Sequence, residues 1–129
     1  GARLDCFGPL TLEASTSLED RAQYEATTKT LTVRVPRSIP ALRESLAHEF
    51  AHHVERECPD HEAFRSTYLE AMGVPSDTPW YDGARWSEMP SERFAEATAE
   101  LLLGTRELAV DVFLSEAELA VVTEWWAGS

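Results

Sequence analysis

With 129 residues, 43% of them hydrophobic, and a formal net charge of −12, the chain fits one globular domain spanning residues 1–129. The acidic balance argues against nucleic acid as a partner, because its phosphates would be repelled. No apolar run reaches the length of about 18 residues that a membrane span needs, so we expect no membrane span, and we expect a monomer.

The first third of the chain predicts a short sheet. Residues 10–13 are β-prone, and residues 31–35 alternate apolar and polar side chains as a half-buried strand does. Residues 24–26 precede residues 31–35, with a polar break between the two segments. These two segments are predicted to pair as a hairpin. Pro36 ends the second strand.

A long helix is predicted next, over Ile39–Glu57. Ser38 suits the N-cap, and Pro40 is tolerated in the first turn. Apolar side chains recur every four residues and predict a core-facing stripe. The members of that stripe are Leu42, Leu46, Phe50 and Val54, with Ala47 and Ala51 beside them.

The rest of the chain is predicted to be mainly helical. A second helix runs over residues 60–72 and is closed by Gly73. A long aromatic loop over residues 74–90 leads to a third helix over residues 92–103. Residues 108–114 are ambiguous between strand and helix. The capping box that begins at Ser115 predicts a last helix to about Trp126.

The chemistry centres on His48, Glu49 and His52, which follow the pattern H-E-x-x-H within the long helix. Two histidines four residues apart share one helix face and can bind one zinc ion. Glu49 is placed to act as a general base on a metal-bound water without being a ligand. The chain therefore carries a candidate hydrolytic zinc site.

A catalytic zinc site needs a third protein ligand and an open position for water. His53 points about 100° away around the helix from its neighbour, which makes it a poor choice, and His61 would reach the site only from the start of the second helix. Glu92 and Glu96, on the third helix, are better candidates because two histidines and a glutamate form a usual hydrolytic set. Spacing alone leaves the choice between them open.

The segments His48-Glu49-Phe50-Ala51-His52-His53-Val54 and Glu92-Arg93-Phe94-Ala95-Glu96-Ala97 together resemble zinc metallopeptidases of the gluzincin type. Among these are the protease domain of anthrax lethal factor and small phage- and toxin-associated enzymes. The resemblance covers roughly residues 33–103. It implies a small zincin-like α+β fold, with a short antiparallel sheet followed by a mainly helical body.

The resemblance also implies roles for individual residues. Glu92 would be the third zinc ligand, and Glu96 would orient a ligand histidine. The strand over residues 31–35 would line the cleft and pair with an extended peptide. The family places an oxyanion-stabilising tyrosine shortly before the ligand glutamate. Here Arg85 stands at that distance and Tyr81 lies nearby, so Tyr81, Arg85 or neither would fill the role.

These features predict a zinc-dependent peptidase, more an endopeptidase than an exopeptidase, that acts on a peptide or protein substrate. Two alternatives are a zinc-binding regulatory or interaction module with poor turnover, and a domain that zinc merely stabilises. The intact Glu49 argues against both, because neither needs a base beside the metal.

Two cysteines, Cys6 and Cys58, form either a disulfide or two free thiols. The first residues show no signal-peptide pattern, and both a secreted and a cytoplasmic location fit the sequence. A disulfide would favour secretion, because such bonds persist in oxidising compartments.

Overall fold

The computed structural model describes residues 6–83, 85–104 and 113–128, and these ranges form an α+β domain of three strands and four helices. The strands are β1 (Thr11–Ser15), β2 (Ala22–Glu25) and β3 (Thr30–Arg34), and the helices are α1 (Ile39–Glu57), α2 (His61–Met72), α3 (Pro90–Leu103) and α4 (Glu116–Trp126). The predicted α+β class is confirmed. None of these helices combines the length and the apolar character needed to cross a bilayer.

The sheet is mixed and not purely antiparallel, so the prediction was wrong in this respect. β2 and β3 form the expected hairpin, with Tyr24 opposite Leu31. β1 lies on the other side of β3 and runs parallel to it. The connection between β1 and β2 therefore crosses the carboxyl end of β3, where the Arg34 guanidinium donates a hydrogen bond to the Glu19 carbonyl (2.9 Å).

The central position of β3 overturns the expectation that this strand pairs with a substrate. Both of its edges are already hydrogen-bonded, one to β1 and the other to β2. Within the described residues β2 is an edge strand. The Tyr24 hydroxyl on β2 lies 2.7 Å from Nδ1 of His53 on α1, so this edge strand packs against α1.

Helix α1 begins and ends at the predicted residues. The Ser38 hydroxyl accepts a hydrogen bond from the backbone N–H of Ala41 (3.3 Å), which satisfies a donor left free in the first turn. At the other end, the backbone N–H of Cys58 bonds to the carbonyl of Val54 (2.9 Å). These local caps explain why the sequence placed the helix correctly.

The contact between α1 and α3 is the most extensive between any two elements of the described structure, and small side chains are prominent on both helices. Ala47 and Ala51 are buried on α1, as are Ala95 and Ala97 on α3. Of the predicted stripe, Val54 is fully buried, whereas the larger Leu42, Leu46 and Phe50 are only partly buried. Because helix separation depends on side-chain size, these alanines favour a close approach of the two helices that carry the candidate site.

The segment between α1 and α3 follows the predicted pattern with small differences. Helix α2 ends at Gly73, whose φ of 79° is left-handed, as the closing glycine was expected to be. The loop that follows includes a short 3-10 turn, Trp86–Glu88. Helix α3 begins at Pro90, two residues earlier than predicted, because proline suits the first helical position.

Helix α4 closes the domain. The predicted capping box of Ser115 and Glu118 is present. Trp125 and Trp126 are both buried, and the Trp126 indole donates a hydrogen bond to the Thr98 hydroxyl (3.1 Å). Of the ambiguous stretch 108–114, residues 108–112 lie outside the described residues.

Cys6 and Cys58 form a disulfide that joins two positions 52 residues apart. Next to it, the Phe7 ring packs edge-on against Phe50, with a centroid distance of 5.0 Å. Phe7 also contacts His53 at 6.0 Å. The bridge therefore fixes the segment before β1 against the carboxyl-terminal half of α1.

Candidate metal centre

Three side chains from two helices converge. His48 and His52 lie one turn apart on α1, and Glu92 lies in the first turn of α3. The two Nε2 atoms are 3.2 Å apart, and the Glu92 Oε1 atom lies 3.4 Å from Nε2 of His48 and 2.5 Å from Nε2 of His52. All three residues are partly buried. The structure thus brings together the three residues that were predicted as metal ligands.

The spacing of these three atoms suits one shared metal ion. In a tetrahedral site with bonds of about 2.0–2.1 Å, neighbouring ligand atoms lie about 3.3 Å apart. The distances of 3.2 Å and 3.4 Å match this value. The distance from Glu92 to His52 is shorter by about 0.8 Å than the tetrahedral value, because these two atoms contact each other directly. A side-chain shift of less than about 1 Å would equalise the three distances.

Each candidate ligand histidine has a carboxylate on its other nitrogen. Nδ1 of His48 lies 3.2 Å from Oε2 of Glu96, and Nδ1 of His52 lies 2.9 Å from Oε2 of Glu55. A proton on Nδ1, donated to a carboxylate, leaves the Nε2 lone pair free for a cation. Glu96 lies on the Nδ1 side of His48, whereas Glu92 lies on its Nε2 side.

The charges at the site favour a cation. Burial would lower the pKa of both imidazoles, but their carboxylate partners outweigh it. Hydrogen bonds to Glu92 and Glu96 raise the pKa of His48, and those to Glu55 and Glu92 raise the pKa of His52 to about 10. Burial would likewise raise the pKa of Glu92, yet the two imidazoles hold that pKa well below its usual range. The carboxylates therefore stabilise positive charge on the histidine pair, whether from protons or from a bound cation.

Glu49 lies next to His48 along α1 and keeps partial access to solvent. Burial raises the pKa of Glu49, the charges of His52 and His48 oppose that rise, and the carboxylates of Glu92 and Asp20 add to it. These electrostatic interactions place Glu49 within the field of the ligand cluster. A carboxylate whose pKa is raised toward neutrality is better suited to accept and return a proton than an ordinary one.

Trp86, in the aromatic loop, forms a wall of the site. Its indole stacks on the His48 ring, with a centroid distance of 5.7 Å and an angle of 15° between the planes. It remains 46% exposed. The Arg93 guanidinium donates a hydrogen bond (3.0 Å) to the carbonyl of Ser87, the residue that follows Trp86. This bond holds the turn that carries Trp86.

The two candidates for oxyanion stabilisation lie in the same loop. The Tyr81 hydroxyl accepts a hydrogen bond from Arg65 (3.4 Å), and the Arg56 guanidinium lies 4.5 Å from the centre of its ring. Tyr81 therefore contacts a basic pair and is not part of the three-ligand cluster. Arg85 is exposed at the start of the 3-10 turn. The oxyanion role of Tyr81 stays a prediction.

Glu55 was not predicted from the sequence. The available signal was its position three residues after His52, on the same helical face, which is within reach of the imidazole. Nothing local separates it from a solvated glutamate such as Glu62, which is exposed. Its role becomes visible only once its burial and partners are known.

Comparison with known proteins does not assign this site. No protein-family model matches the chain, and neither the curated proteins nor the solved structures contain a match.

Proposed function

We propose that this chain is a zinc-dependent peptidase, more an endopeptidase than an exopeptidase, with a zincin-like domain. The observation that carries the proposal is the convergence of His48, His52 and Glu92 at distances suited to one zinc ion, with Glu49 beside them. A site that only stabilised a fold would not need a partly exposed carboxylate next to the ligands.

The residues take distinct roles in this proposal. His48, His52 and Glu92 would hold the metal, which would supply a Lewis acid and lower the pKa of a bound water to about 7. Glu49 accepts a proton from the attacking water and returns it to the leaving amine. Glu96 fixes the orientation of His48 through its Nδ1 atom. Tyr81 is the proposed source of a phenol for the developing oxyanion.

The substrate in this proposal is a peptide or protein segment in extended form. The edge of β2 is the candidate surface for backbone pairing, because β3 has both edges occupied and Tyr24 holds β2 next to α1. Asp20, in the connection just before β2, lies close enough to Glu49 to raise its pKa. An acidic approach of this kind is compatible with a basic peptide.

The Cys6–Cys58 disulfide supports a secreted location as part of the proposal. Disulfides persist in oxidising compartments and are rare where thiols are kept reduced.

The test is a cycle of metal removal and return. Protein stripped with a chelator should not cleave a mixed peptide library, and one equivalent of zinc should restore cleavage. Mass spectrometry of the products would separate internal cleavage from terminal trimming. Protein that binds one zinc ion per chain and cleaves nothing would instead be the zinc-binding regulatory or interaction module. Protein that binds no zinc would overturn the proposal entirely.

A further inference from the structure

Glu55 is a buried carboxylate with hydrogen-bond partners from three parts of the fold. It is 2% exposed. Its Oε1 atom accepts a hydrogen bond from the Trp80 indole (2.8 Å), and its Oε2 atom accepts one from the Ser91 hydroxyl (2.7 Å). Oε2 also lies 2.9 Å from Nδ1 of His52. Because burying a charge without partners is costly, this set of contacts indicates a built arrangement and not a chance approach.

The contact with His52 determines which nitrogen of that ring is free. A carboxylate accepts hydrogen bonds and does not donate them, so Glu55 favours a proton on Nδ1 of His52. The lone pair of Nε2 then points toward His48 and Glu92, where the zinc ion is proposed. Glu55 therefore affects the first of its two proposed targets, His52, by fixing which nitrogen carries the proton.

The same carboxylate also connects α1 to the start of α3. Ser91 immediately precedes Glu92, and its backbone N–H bonds to the carbonyl of Trp80 (2.9 Å). Glu55 thus joins α1 to the first turn of α3 through the Ser91 hydroxyl, while the Trp80 indole bonds to its other oxygen. The contacts of Glu55 with His52 and Ser91 position two of the three proposed ligands, His52 and Glu92.

We propose that Glu55 is the residue that positions both the His52 imidazole and the first turn of α3 for metal binding. The proposal deepens the proposed function and rests only on its metal-binding part. It assigns to Glu55, for His52, the role that the resemblance gave to Glu96 for a ligand histidine. It adds a connection to the helix that carries the third ligand.

The test compares zinc affinity in Glu55→Gln and wild-type protein by chelator competition. The substitution is nearly isosteric, and its amide can still accept from Trp80 and donate to Ser91. It then presents an N–H to Nδ1 of His52, which moves the ring proton to Nε2 and blocks the ligand atom. We expect zinc affinity to fall by about 10- to 100-fold. The absorption spectrum of the cobalt-loaded protein should change as well, because it reports ligand geometry.

Trp80→Phe is the matched control. It removes one donor from Glu55 but leaves the contact with His52 intact, so it should lower thermal stability while zinc affinity and the cobalt spectrum stay as in wild type. Ser91→Ala is a second variant, useful if Glu55→Gln fails to fold, and we expect it to weaken zinc binding by less than about tenfold.

Wild-type zinc affinity in both Glu55→Gln and Ser91→Ala would overturn the proposal. It would also be overturned if Trp80→Phe weakened zinc binding as much as Glu55→Gln does, because the role of Glu55 would then be structural only. A wild-type protein that binds zinc but cleaves no peptide would refute the peptidase proposal, while the affinity comparison would still decide the role of Glu55. A wild-type protein that binds no zinc would overturn both.

Discussion

Removing the Cys6–Cys58 disulfide should lower the free energy of unfolding by an amount that depends on the number of residues between the two cysteines. The bridge joins residues 52 positions apart, and loop-closure entropy for a loop of that size corresponds to about 4 kcal/mol at 25 °C. An unfolding entropy of about 2.1 cal/mol/K per residue gives about 270 cal/mol/K for a chain of 129 residues. The double variant Cys6→Ser, Cys58→Ser should therefore melt about 15 °C below wild type.

The assay is thermal unfolding followed by circular dichroism, with a chelator present so that bound zinc does not add stability of its own. Wild type treated with a reductant should approach the double variant, and the double variant should not respond to reductant. A double variant that melts at the wild-type temperature would refute this prediction, as would a wild-type transition that reductant leaves unchanged. Either result would mean that the segment around Phe7 does not depend on the bridge for its packing on α1.

Three further predictions follow from the charges and contacts of single residues. Because the pKa of His52 is raised to about 10, zinc must displace a proton from this imidazole. Zinc affinity measured by chelator competition should therefore rise about tenfold per pH unit from pH 6 to pH 8 for each proton released. A zinc affinity that does not change with pH would contradict this prediction. Burial would raise the pKa of Glu118, but two hydrogen bonds from Arg93 (2.7 Å each) lower it. The stability that this pair provides is therefore present above the unfolded-state pKa of about 4.3 and lost as pH falls through the folded-state pKa. In urea unfolding, Glu118→Gln should cost about 3 kcal/mol at pH 7 and flatten the acid dependence, whereas a variant with wild-type stability would show that the pair contributes little. If Tyr81 stabilises the oxyanion, Tyr81→Phe should lower kcat about 100-fold with zinc content unchanged. Wild-type kcat in this variant would show that the Tyr81 hydroxyl has no role in catalysis and only bonds to Arg65.

The parts of the fold that follow local rules were predictable. Ser38 and the capping box at Ser115 set the starts of α1 and α4, and Gly73 ends α2 in the left-handed conformation that such a cap requires. His48 and His52 were predicted to share a helix face because four residues are close to one helical turn. Each of these features depends on residues within about one helical turn of each other.

The features that the sequence did not predict depend on contacts between distant segments. The order of the strands, with β1 parallel to β3, depends on how one connection crosses the sheet, and alternation of side chains does not encode that. Cys6 and Cys58 are 52 residues apart in the sequence, and only the fold brings them close enough to form a disulfide. Glu55 becomes distinguishable from an exposed glutamate only when Trp80 and Ser91, from later in the chain, pack around it.

Glu49→Gln separates catalysis from metal binding, because it removes the proposed general base and leaves all three proposed ligands in place. Zinc content and peptide cleavage would be measured on the same preparation, with Glu70→Gln as a control that removes an exposed carboxylate from α2. We predict one zinc ion per chain in all three proteins, with cleavage by wild type and Glu70→Gln but none by Glu49→Gln. Cleavage by Glu49→Gln at the wild-type rate would contradict the role of Glu49 as the general base.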